Sequence, residues 1–451
     1  MAANGSFGVG VIGELAAFVT GADARALPAA EQERLKLHVA DTAAAALAGE
    51  HIPEGRALAP FGNGLSLAGR IGRQAAAIRL TEIDDIHLPS CTTPSSAAVP
   101  VALALAANEK KFDPGEVLSA IWVGTEIMTR IGLAARGPEI LYRGIWPTYL
   151  AAPVAAAATA ARVMGLDAAR TGHALSLACM LTAGGVGRIH GAPSGRWFLF
   201  ANAVAGGVAA AEAARADYRG DPGLLDVNWF ADTHGVTLER DRLTQKLGAA
   251  PSVYASLSTK PFCSAKQAIA AVEAFSTILG QGVRPDAVTK VRVLVPGAYV
   301  GMISTRAEPG ARQSTLVSVA YQMALAALAP DRLYDIDRSA AASSPVDANV
   351  AALAAKVEVI ADKTLEPFYP RHWPAAVEVE AGGKTFKQRV VEAAGDPERP
   401  LSGAALDDKA RRVLEPLIGR KRAAEWLALS REAFVEAAAC ARFLWAFAGD
   451  A

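Results

Sequence analysis

Apolar positions recur at intervals of three and four through the first 250 residues, the spacing that puts one stripe on a helix. The pattern predicts helices over 11–20, 29–48, 95–108, 114–135, 148–164, 168–182 and 196–216. Several edges carry their own signals: Pro28 at an entrance, Gly49 at an exit, and Asp113-Pro114 as cap and first turn. This half of the chain is nearly all α.

The period changes after Pro251. VTKVRVLV at 288–295, KVEVI at 356–360 and AVEVE at 376–380 alternate apolar and polar residues as strands do, and Gly382-Gly383 marks a turn before a return strand at 384–390. Helical spacing is interleaved at 265–279 and 315–328, then returns at 407–417 and 432–447. The fold class expected is mainly α with an α+β second domain. Residues 1–255 and 397–451 form a large, discontinuous all-helical domain, and 256–396 a smaller inserted α+β lid. A cleft between two such domains is the default place for a ligand.

Composition adds to this picture. Hydrophobic residues make up 52% of the 451 and aromatics only 6%, so the cores are filled with alanine and small aliphatics, which suits closely packed helices. The 45 basic and 45 acidic residues cancel, which leaves no general field for nucleic acid or an anionic membrane; an anionic ligand must be held by local cations. Cysteines 91, 179, 263 and 440 are far apart, without the spacing of a zinc or iron–sulfur site or a disulfide framework. A cytoplasmic location is expected. The first apolar stretch carries Glu14 and lacks a basic leader, so neither a secretory signal nor a membrane span is expected.

Candidate chemistry is concentrated in a few segments. TEIDDIHLPSCTTPSSAAVP at 81–100 sets Asp84, Asp85, His87, Thr93 and further hydroxyls ahead of an apolar helix, more polar groups than a helix start requires. YRGIWPT at 142–148 offers Arg143 beside a helix entrance, with Trp146 and Thr148 flanking Pro147. The glycine-rich 184–197 carries Arg188, His190 and Arg196, a composition that suits a carboxylate. STKPFCSAKQ at 258–267 places Lys260 and Lys266 at the entry to the second domain, and Tyr321 lies in an apolar helix. Each has a plainer alternative: capping acids, a packing indole, a surface loop, solvated lysines, a core tyrosine. The G-x-G-x-x-G at 8–13 has no strand before it and is read as a helix start. No Walker loop, His-Glu-x-x-His or G-x-S-x-G elbow occurs.

Taken in order, DDIH, TPSSAAVP, YRGIWPT, the SGRW loop, DYRGDPGLLD, STKPFCSAKQA and SVAYQMA resemble the MmgE/PrpD family over nearly the whole chain. That family includes 2-methylcitrate dehydratase, cis-aconitate decarboxylase and iminodisuccinate epimerase. The resemblance implies a homodimer, an all-α domain with an α+β lid, and chemistry on small polycarboxylates without metal or other cofactor. It places Asp84, Asp85, His87, Lys260 and Tyr321 on matching catalytic positions, with Lys266 where a basic residue is usual. Thr93, Trp146 and Arg196 stand where the family commonly has His, His and Lys, which points to an altered substrate or reaction. The activity expected is that of a metal-free lyase of the dehydratase type, acting on a di- or tricarboxylate through a carbanion or enolate stabilised by Lys and Arg. Thr93, Arg143, Trp146, Thr148, His190, Arg196 and Lys266 would bind the substrate. An epimerase or isomerase, and a catalytically lapsed ligand-binding dimer, are the alternatives.

Overall fold

Alanine and glycine let helices approach until backbone meets backbone, and the helical unit is organised around one such helix. The computed structural model describes residues 10–59, 66–182, 185, 195–308, 312–337 and 345–449. The chain divides into two compact units, one of Met1–Leu80, Asp84–Leu257 and Ile418–Ala451, the other of Thr81–Ile83 and Ser258–Leu417.

In the first unit the buried helix Pro147–Met164 packs against Pro114–Ala134, Gly195–Arg215, Ala168–Met180 and Ser95–Asn108. Two glycines set the closeness. A Cβ on Gly124 would lie 1.9 Å from Thr159 Oγ1, and one on Gly207 would lie 2.1 Å from the carbonyl oxygen of Pro153, so neither position admits a side chain without movement. Val11–Gly21, Ala29–Glu50 and the carboxyl-terminal Arg420–Glu432 and Ala437–Ala448 complete this unit's main helices. Among the described residues two helices are long and apolar enough to cross a membrane by length and composition. In Pro114–Ala134 94% of that window is buried inside the protein, and in Gly195–Arg215 50%.

The second unit holds a four-stranded mixed sheet in the order Val357–Ala361, Val288–Val295, Ala375–Ala381, Lys384–Val390. The first pair is parallel, with Val291 opposite Val357; the others are antiparallel, with Val293 opposite Val377 and Val377 opposite Gln388. Val291, Val293, Val377 and Val379 are buried on the face that the alternation assigned to the core. Helix Lys266–Gly280 packs on the last two strands. Gly382 and Gly383 both have positive φ, 57° and 72°, which is the turn a two-residue hairpin requires.

The mainly α chain with an α+β second unit is the expected fold class, and most elements fall where the periodicity put them. Among the described residues, three helices of ten residues or more were not anticipated, Leu67–Thr81, Pro345–Ala354 and Arg420–Glu432, along with shorter ones such as Pro53–Ala57 and Trp229–His234. In the first, Gly69 and Gly72 weaken the helical signal, yet Gly72 is where a Cβ would meet the Ala201 carbonyl at 2.2 Å. The run at 315–328 is two helices, Arg312–Val317 and Val319–Leu328, because the Ser318 side chain accepts the Tyr321 N–H and caps a new start. Helix Gly403–Ile418, assigned from sequence to the first domain beyond residue 396, falls within the second unit up to Leu417. Its Lys409 ammonium donates to the carbonyls of Ile83 and Lys260, two residues of that unit.

Candidate active site

The 81–100 segment folds around its own polar groups. Asp84, fully buried, forms an ion pair with Arg79 at the end of helix Leu67–Thr81. Asp85 caps the next helix from outside. Its Oδ1 accepts the Ser95 backbone N–H at 3.3 Å and its Oδ2 the Ser95 hydroxyl, and His38 Nδ1 lies 3.1 Å from that same Oδ2. A carboxylate on the first turn of Ser95–Asn108 is favoured by the helix dipole and satisfies a donor that would otherwise be orphaned.

His87 is anchored by a tight turn. Its N–H donates to the Thr92 carbonyl at 2.8 Å, its Nδ1 accepts the Ser90 N–H at 3.3 Å and lies 2.9 Å from Ser90 Oγ, and that hydroxyl lies 2.7 Å from Thr92 Oγ1. Burial pulls the pKa of His87 down to about 4, against a smaller upward pull from the charge of Asp85. The ring is therefore neutral at pH 7. Because Nδ1 receives a backbone N–H, the proton of the neutral ring is assigned to Nε2. His87 thus presents a donor.

Thr93, Trp146, Thr148 and Arg196 form two contacts. The Thr93 N–H donates to Thr148 Oγ1 at 3.1 Å, and the two hydroxyls are 3.4 Å apart. Two residues earlier, Trp146 stacks on Tyr149 with ring centres 5.4 Å apart, and the Arg196 guanidinium lies 4.8 Å from the Trp146 ring centre and 4.7 Å from that of Trp197. Arginine is the cation suited to such stacking, since its flat, weakly hydrated head keeps donor edges for a carboxylate. Arg143 is exposed and donates to the Gly235 carbonyl at 3.0 Å. His190 and Arg188 lie outside the described residues.

In the second unit Lys260 and Lys266 are 2% and 3% exposed. Lys260 Nζ donates to Glu82 Oε2 at 3.0 Å, and Lys266 Nζ pairs with Asp396. Asp396 also accepts the Ser258 hydroxyl at 3.0 Å and the Ala393 N–H at 2.8 Å. Glu82 adopts a φ of 54°, the left-handed region that costs a non-glycine residue energy, while its carbonyl accepts the Ser264 N–H. Tyr321 is half-buried, with the Arg332 guanidinium 3.5 Å from its hydroxyl. Both lysines are accordingly matched by internal carboxylates.

Sequence reasoning missed Glu82, Asp396 and Lys409. Glu82 sits inside the very segment singled out, two residues before the aspartates that drew attention. Asp396 is 130 residues from its lysine, and no spacing rule connects them. All four cysteines are buried and none is in a disulfide, and burial pushes the Cys91 and Cys179 thiols up to about 12, so neither of these two offers a thiolate. Among the described residues His372, Glu392 and Glu398 bring potential ligand atoms within 4.8 Å of one another, in the second unit.

Two family descriptions match the sequence, the MmgE/PrpD N-terminal domain over residues 73–235 and the MmgE/PrpD C-terminal domain over 262–432. The chain belongs to the MmgE/PrpD family. The first match includes Asp84, Asp85, His87, Thr93, Trp146 and Arg196, and the second includes Lys266, Tyr321 and Asp396; Lys260 falls between them. Over 196 residues the chain is 31% identical to the cis-aconitate decarboxylase-like protein oryM of Aspergillus oryzae (strain ATCC 42149 / RIB 40). That stretch is 39% of this chain and 40% of the relative.

Proposed function

We propose that this MmgE/PrpD protein is a metal-free lyase of the hydro-lyase type acting on a small di- or tricarboxylate. The observation that carries the proposal is the family match in both halves of the chain. The residue chemistry is compatible with it. A proton beside a carboxylate is a weak acid, so its removal requires a base together with cations that stabilise the enolate formed. Arg196, steadied by two indoles, is suited to a bidentate carboxylate grip, and the Thr93 and Thr148 hydroxyls supply neutral donors.

His87 with its proton on Nε2 serves as a donor rather than a base. Proton abstraction is assigned to Lys260, which passes its own proton to Glu82 and takes one from the substrate carbon as a free amine. The electron pair left on carbon then expels a β-hydroxyl, which leaves as water after protonation by Tyr321. The products are an alkene carboxylate and water, with no change of oxidation state. The protein is proposed to work as a homodimer in the cytoplasm.

The relative's name favours decarboxylation as a second reading: loss of carbon dioxide also leaves a carbanion that the same cations stabilise. Purified protein treated with a chelator and offered citrate, 2-methylcitrate, malate and cis-aconitate tests both. Alkene formation that survives chelation and falls by two to four orders of magnitude in Lys260→Ala supports the hydro-lyase, since a positioned acid or base is worth roughly 10²–10⁴. Carbon dioxide release without dehydration supports the second reading. Dehydration that continues unchanged in Lys260→Ala contradicts the assignment of Lys260 as the base.

A further inference from the structure

A second polar site lies within the helical unit. It is a cavity of about 400 Å³ whose lining includes His87, Glu126, Thr129, Arg130, Arg242 and Gln245. Glu126 and Thr129 stand one turn apart on helix Pro114–Ala134 and are 8% and 4% exposed. Glu126 Oε1 accepts Arg130 Nε at 2.7 Å, whereas Glu126 Oε2 and Thr129 Oγ1 are buried and make no hydrogen bond among the described residues. Two unpartnered buried oxygens on residues that line one cavity are costly unless something occupies the space.

The other groups show what that occupant requires. Arg130 spends Nε on Glu126 and Nη1 on the carbonyls of Arg242, Leu243 and Gln245, which fixes the guanidinium in place. Its Nη2 makes no hydrogen bond among the described residues, so it remains a charged donor. Neutral His87 adds an Nε2–H, while Arg242 stands half-exposed and paired with Glu239. Charged and neutral donors that suit an anion therefore line the same cavity as an acceptor, Glu126 Oε2, that needs a hydroxyl.

We propose that this cavity binds a small hydroxycarboxylate, its carboxylate on Arg130 and His87 and its hydroxyl donating to Glu126 Oε2 beside Thr129. Apart from His87, which the lyase proposal uses as a donor, none of the residues that define the site takes part in the lyase chemistry, so Glu126, Thr129 and Arg130 test it separately. Hydrogen–deuterium exchange of the full chain with L-malate, and with succinate as its deoxy analogue, tests it. Malate is expected to protect peptides covering 126–133 and 242–256, and succinate to do so at least tenfold less tightly.

Glu126→Gln, which turns the acceptor edge into an amide donor, and the near-isosteric Thr129→Val are expected to abolish the preference for malate. Arg196→Ala should leave it intact, which separates this site from substrate binding elsewhere on the protein. The proposal is overturned if saturating malate leaves both peptides unprotected, if succinate binds equally well, or if folded Glu126→Gln and Thr129→Val proteins, checked by thermal unfolding, keep the wild-type preference.

Discussion

The guanidinium of Arg196 lies 4.8 Å from the ring centre of Trp146, so two of the positions that the sequence resemblance marks as departures from the family's usual residues are in contact. A third, Thr93, is bonded to Thr148, which lies two residues beyond Trp146. The departures are a connected set. A bulky indole is accompanied by a cation whose flat head can lie over it, which a lysine ammonium does less well.

Arg196→Lys is therefore a large change despite keeping the charge. Cation–π contacts are worth about 0.5–2 kcal/mol, which corresponds to a rise in KM of roughly two- to thirtyfold with little change in kcat. Trp146→Phe should recover part of what Trp146→Ala loses. Steady-state kinetics on the best substrate checks the order.

Lys266 and Asp396 form a buried pair, and removing one partner leaves a buried charge. Lys266→Met is expected to destabilise the protein by about 3–5 kcal/mol, read as a fall in the urea midpoint. The double variant Lys266→Met, Asp396→Leu should recover much of that loss. If the single and double variants are equally stable, the pair does not carry this energy.

His87 links stability to pH. Its folded pKa, about 4, lies below the ordinary value of 6.5, so in this window the unfolded chain binds the proton more readily. The stabilisation is fully present above pH 6.5, is lost as pH falls toward 4, and levels off below that. Integrated over the window the contribution is on the order of 3 kcal/mol. Replacing His87 by Gln should flatten the slope of unfolding free energy between pH 6.5 and 4, measured by denaturant titration.

Helix Gly195–Arg215 approaches Pro147–Met164 through Gly207, where a methyl group would overlap the Pro153 carbonyl. Gly207→Ala should cost about 1–3 kcal/mol despite alanine's higher helix propensity, because a backbone atom cannot rotate away. Gly280→Ala, at an open helix position, is the control and should be neutral or slightly stabilising.

Much of this architecture was written in period and punctuation. The valine alternation of Val288–Val295 and Ala375–Ala381, the Gly382-Gly383 turn and the Asp113 cap are local signals, and local signals can be read from one sequence. Leu67–Thr81 was hidden because a glycine that permits close packing looks, in sequence, like one that weakens a helix. At the candidate site residue types were legible but their pairings were not. Lys260 and Lys266 stood out as cations, while Glu82 and Asp396 were silent because an ion pair across 178 or 130 residues leaves no spacing to detect. His87 was visible as an imidazole, but its tautomer depends on the Ser90 N–H, which only the folded turn supplies.

The proposed reaction generates a carbanion next to a carboxylate and resolves it by losing a hydroxyl group. Proton NMR of the chelator-treated protein with hydroxy-polycarboxylates in deuterated water observes this step directly. New vinyl signals are expected to grow as substrate is consumed, and to be lost in Lys260→Ala. Deuterium entering the substrate carbon with no vinyl signal would identify an isomerase instead, and no exchange and no product from any hydroxy-polycarboxylate would contradict the proposal outright.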